Sequence, residues 1–144
     1  PLIGVRMNTG ACWCSARNLH IFDTADQGFY SAPVTNACTW AVAFHSALAL
    51  EAGVDLADVQ AIRSGHAPAG SRDAALSILA RTLIEKRGRL DDQDTDRFVA
   101  AGFGKDQLLE VIAVVAASTI TNYTGSVTKP PVEMAFQPHM WSAR

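Results

Sequence analysis

Two side chains in the stretch TNACTWAVAFH can do chemistry: the thiol of Cys38 and the imidazole of His45. They lie two helical turns apart, so on a helix they share one stripe, and position 41 falls between them at one-turn spacing from each. A thiol near the start of a helix meets backbone N–H groups that lack partners, and those donors together with the helix dipole favour thiolate. A second thiol at 41 would complete C-x-x-C-x-x-x-H, a pair able to close a disulfide with a base one turn below. The residue there is Ala41. On residue types alone, Cys38 reads first as a small buried hydrophobe and His45 as a satisfied core histidine.

The elements that must hold these residues follow from caps and periodicity. Thr35 or Asn36 caps a helix whose apolar positions Cys38, Ala41, Val42, His45, Leu48 and Ala49 recur at helical spacing, and Gly53 stops it. This places Cys38 at the third helical position. Asp55 with Asp58 forms a variant capping box for a short helix stopped by Gly65. Ser71 caps the next, with Asp73 in its first turn, Lys86 and Arg87 in its last and Gly88 as stop. The acidic run Asp91 to Asp96 caps a short helix ending at Gly102. KDQLLEVIAVVAASTITNYTG is apolar on nearly all sides, which predicts a central or oligomer-buried helix in which Glu110 is either paired or at an interface. From Lys129 the chain reads as a proline-rich extended tail. Residues 1–34 carry Gly, Asn and Pro where a helix would break, so they predict an irregular segment before a helical domain over 35–144. No strand alternation appears, and the expected class is all-α.

Composition narrows the function classes. At 144 residues the chain suits a single domain, and with 49% apolar and 18% charged residues it is globular. A net charge of −2 with scattered basic residues supplies no surface for nucleic acid or anionic lipid. The apolar run Leu108 to Ile120, interrupted by Glu110, Ser118 and Thr119, reads as too short and too polar to span a bilayer. Three cysteines, an odd number, argue against a disulfide framework. Residues 1–21 show no signal peptide, so a reducing cytoplasm is expected. Cys12 and Cys14 lack nearby His or Cys partners, and neither a metal nor a cofactor is expected. Trp40 reads as a packing residue, His66 and His139 as surface or interface residues.

The segment NACTWAVAFHSALA resembles the signature helix of the AhpD-like alkylhydroperoxidase and carboxymuconolactone decarboxylase superfamily, usually written N-x-C-x-x-C-x-x-x-H. The likeness extends through the long apolar helix and the NY…P…AF.P..W tail, over about residues 35–144. It implies an all-helical, single-domain fold that forms dimers, trimers or hexamers. In the peroxidase branch the second cysteine attacks the hydroperoxide, the first resolves it as a disulfide, and the histidine with an upstream glutamate relays the proton. Cys38 matches the first cysteine, His45 the histidine, and Asp26 falls at the glutamate's spacing, although Gly28 and Pro33 argue against a continuous helix there. Ala41 stands where the second cysteine belongs, as a Cys→Ala substitution or as a natural relative with altered chemistry. The resemblance therefore implies a thiol-dependent alkylhydroperoxide reductase, impaired or altered, acting on a small hydroperoxide with a dithiol reductant. The alternatives are a decarboxylase-like acid–base enzyme using His45 on a lactone acid, or a non-catalytic oligomeric relative.

Overall fold

A computed structural model describes residues 26–143, with side chains from Ser31 onward. Among these residues the chain is all-α, with no strand. The helices are α1 (Asp26–Thr35), α2 (Thr39–Glu51), α3 (Leu56–Arg63), α4 (Ser71–Glu85), α5 (Asp92–Ala100) and α6 (Lys105–Thr128). Cys12 and Cys14 lie outside the described residues.

The first difference from the sequence reading is α1, which runs through Gly28 and Pro33 where irregular chain was expected. Pro33 sits in the last turn, where the absent N–H forfeits one helical bond. Burial outweighs that loss. Ser31, Ala32 and Pro33 are all buried, and the Ser31 hydroxyl meets that of Ser77 on α4 at 2.6 Å. Small side chains on both helices let the backbones approach closely, so packing overrides local propensity.

The second difference is where α2 begins. Thr35 ends α1 instead of capping α2, and its hydroxyl donates back to the Ser31 carbonyl. The link is one tight motif: the Cys38 N–H donates to Pro33 O (3.0 Å) and the Ala37 N–H to Val34 O (3.1 Å). Ala37 is left-handed at φ 53°, the position at which such helix ends favour glycine. Cys38 is therefore the N-cap of α2 and lies before the helix, not at its third position.

Elsewhere caps and stops fall near their expected places. Asp55 caps α3 by accepting from the Ala57 N–H, but Asp58 accepts from the Ala69 N–H across the following loop and completes no capping box. Gly70, not Ser71, is the N-cap of α4. Asp91 and Asp94 form a reciprocal capping box at α5, with Lys86 paired to both carboxylates.

The main core joins Leu76, Leu79, Ala80 and Leu83 of α4 to Phe98 and Phe103 and to Val111 and Val115 of α6. Phe98 stacks on Phe103 with centroids 4.5 Å apart, and the Arg72 guanidinium covers the outer ring at 4.0 Å. A second cluster, Ala49, Val59 and Ile62, ties α2 to α3. Helix α1 touches α2, α3, α4 and α6. The 24-residue α6 is longer than the apolar run suggested. By length and composition it is sufficient to cross a membrane, with 28% of its most apolar window buried.

Candidate active site

The stripe expected on α2 is present. Cys38 is 2% exposed and Ala41, one turn on, 3%. His45 follows a turn later and is partly buried. The Cys38 side chain makes no capping hydrogen bond, and Asp26 begins α1 while its side chain lies outside the described residues.

Beneath Cys38 lies α6. A β-carbon on Gly125 would stand 3.0 Å from Cys38 Sγ, so the thiol rests on the glycine backbone. Asn122 and Ser118 continue this face at helical spacing. Asn122 is 0% exposed and Ser118 1%. Among the described residues, both Asn122 side-chain polar atoms and the Ser118 hydroxyl lack hydrogen-bond partners. The neighbouring Asn36 amide reaches Thr119 Oγ1 at 3.5 Å, at the edge of bonding distance. A buried amide with neither group satisfied costs about 1–3 kcal/mol per group, so this polar floor is suited to a water or a small oxygen-bearing guest at the head of α2.

On its other side α2 meets α3 and the tail. His45 lines a recess of about 10 Å³ with Val34, Val42, Ser46, Val59, Ile62 and Arg63, the room of one water molecule. Burial lowers the His45 pKa to about 4, so the imidazole is neutral at pH 7 and a weaker base than a free one. Its ring edge meets Phe44 at 5.1 Å.

The tail is folded back rather than merely extended, and includes a 3-10 turn at Gln137–His139. Trp40 stacks on Phe44 and its Nε1–H donates to Glu133 Oε2 at 2.8 Å. Phe136 meets Phe44 edge-on. Arg63 Nη1 donates to the His139 carbonyl and Nη2 to that of Met140. The Trp141 indole N–H donates to the Arg63 carbonyl at 2.9 Å.

Sequence reading found the α2 stripe but missed Ser46 on α2 itself, and Arg63, Asn122 and Trp141, which approach from other elements. Only Asn122 carried a signal, as the Asn of the NY pair in the tail likeness. His66 is exposed as expected. Glu110 Oε2 is buried without a hydrogen-bond partner among the described residues. Among the described residues no cluster of three or more His, Cys, Asp or Glu could hold a metal ion. No family model matches the chain, and no curated protein matches it.

Proposed function

We propose that this chain carries the framework of a thiol-dependent hydroperoxide reductase of AhpD-like type, lacking the attacking sulfur at Ala41. The observation that supports this best is the inward face of α2, with Cys38 as N-cap, Ala41 in the first turn and His45 a turn below. A sulfur at 41 would lie one turn from Cys38, within reach of a disulfide, and one turn from His45. The neutral imidazole would take the thiol proton. The thiolate would attack the peroxide oxygen, the O–O bond would break with the alcohol leaving on the imidazolium proton, and Cys38 would displace the oxygen from the resulting sulfenic acid as water. A dithiol reductant would restore both thiols. The unpartnered Asn122 amide below Cys38 adds a polar lining. Ala41→Cys should therefore raise reduction of a small alkyl hydroperoxide with a dithiol by well over tenfold, and His45→Ala in that background should remove most of the gain. No turnover by Ala41→Cys with any dithiol would defeat this reading.

A second reading, acid–base catalysis by His45 without any thiol, draws on the neutral imidazole at the rim of the recess. It predicts an activity of the unmodified chain that His45→Ala abolishes and Cys38→Ala leaves intact.

In either case the working form is a homo-oligomer joined through α6. Leu109, Ile112, Ala116, Ile120, Tyr123 and Val127 recur at spacings of three or four, a seam suited to a second helix. Leu109 is 66% exposed, Ile120 70% and Val127 82%.

A further inference from the structure

The outward side of α6 is apolar along its length and almost free of charge. From Gln107 to Thr128 the only formally charged side chain is Glu110. Leu109, Ile120, Tyr123 and Val127 are each more than half exposed, and Ala113 and Ala116 between them are exposed as well. These positions recur at spacings of four and three in strict alternation, the repeat that keeps one stripe against a neighbouring helix. The large side chains on this side present on the order of 600 Å² per copy, so two copies facing each other bury about 1,200 Å², within the range of stable interfaces.

The order of sizes along the stripe gives the direction of the second copy. It is symmetric about Ser118: Leu109 and Val127 lie nine residues to either side, Ala113 and Tyr123 five, Ala116 and Ile120 two. With the two Ser118 residues level and the helices antiparallel, Leu109 of each copy faces Val127 of the other. Ala113 then faces Tyr123, and Ala116 faces Ile120. Each small side chain meets a large one, so the axes keep an even separation over about five turns. A parallel pair sets alanine on alanine and Tyr123 on Tyr123, which leaves a gap in one layer and a bulge in the next.

The charges at the two ends agree. Lys105, Asp106 and Glu110 leave the start of α6 net negative, and Lys129 makes its end positive. Both ion pairs among the described residues are on Lys86, so Lys129 belongs to neither. Glu110 Oε2 is buried without a hydrogen-bond partner among the described residues. In the antiparallel register Lys129 of each copy comes level with the turn between Asp106 and Glu110 of the other, whereas a parallel pair brings like ends together.

We propose that α6 packs antiparallel on α6 of a second copy about a two-fold axis at Ser118, with Ala113 and Ala116 as the holes that receive Tyr123 and Ile120 of that copy. The pairing rests on the homo-oligomer reading above and adds to it direction, register and an isologous contact. It uses neither Cys38 nor His45, so it stands apart from both catalytic readings.

Cysteine cross-linking of the full chain reads the register, in a Cys12→Ser, Cys14→Ser background that keeps the buried Cys38. A variant carrying both Leu109→Cys and Val127→Cys should oxidise to a covalent dimer on a non-reducing gel. Either change alone should cross-link at least tenfold more slowly, because its two copies lie about 27 Å apart along the axis and a disulfide needs Cα atoms within about 7 Å. Both positions are exposed in the single copy, so the fold does not depend on them. Single variants that cross-link as fast as the double one would mean a parallel pair, and would overturn the proposal while the oligomer stands. Exchange of sizes gives a second reading by light scattering over a dilution series. Ala116→Ile should weaken association tenfold or more, and Ile120→Ala added to it should recover most of the loss, since a large side chain again meets a small one. Absence of that recovery overturns the pairing of 116 with 120. A monomeric parent whose double variant forms no covalent dimer, free or bound to phospholipid vesicles, defeats this pairing and the homo-oligomer reading together.

Discussion

Placing a proton on His45 means placing a charge where water is scarce. Its pKa falls from 6.5 to about 4 in the folded protein, so between those values the unfolded chain binds the proton more tightly. Stability contributed by the neutral imidazole is complete above pH 6.5 and is lost as pH falls toward 4. The full drop corresponds to about 3 kcal/mol. Denaturant unfolding of the parent and of His45→Gln should show a steeper loss in the parent across this window, with the two curves parallel above pH 7. Parallel curves throughout would mean that His45 titrates normally. The thiol–imidazole spacing was legible because residues on one helix share a face by periodicity alone. Arg63 and Trp141 were not legible, because nothing in a linear pattern says that residue 141 returns to residue 63.

Helix ends and helix contacts set where the stripe lies. The turn through Ala37 closes α1 with two backbone bonds and hands Cys38 to α2 as its N-cap. Both expected caps, Thr35 and Asn36, have suitable side chains, but the reading placed no helix before them, and α1 in fact consumes Thr35. At the other end of the contact, Gly125 supports the thiol. Replacing it by Ala gains about 1 kcal/mol of helix propensity and sets a β-carbon 3.0 Å from Cys38 Sγ, which overpacks a buried site. Gly125→Ala should therefore be close to neutral in the parent. In a Cys38→Ala background the crowding is gone, and the same change should stabilise by about 1 kcal/mol. Denaturant midpoints of the four proteins measure this coupling, and equal effects in both backgrounds would refute the contact.

The fold leaves α6 with two unlike sides. Val111, Val115, Ser118, Asn122 and Gly125 are buried, while the Leu109–Val127 seam faces outward. An exposed apolar stripe over much of a 24-residue helix is more than a monomer ordinarily leaves uncovered. Light scattering should give a mass that is a multiple of 15.4 kDa, a dimer, trimer or hexamer, and Ile120→Lys at the centre of the seam should shift it to monomer. A monomeric parent that partitions onto lipid vesicles would instead assign this side to a membrane.

The helical class, the stops after α2 through α5, the Asp91 cap and the Cys38–Ala41–His45 stripe all follow from short-range rules, since caps, glycine stops and periodicity act within about one turn or one repeat. That is why they could be read from residue types and spacing. Three features arose only in three dimensions. Helix α1 forms against its Gly and Pro because α4 offers Ser77 and a close-packed face. Asn122 is buried beneath Cys38 because α6 crosses the head of α2 at a glycine. Arg63 meets the tail carbonyls because the chain after Lys129 folds back over α2 and α3. Each is decided by contacts between residues at least 46 positions apart, a separation at which local propensity carries no information and only the packed chain selects the partner.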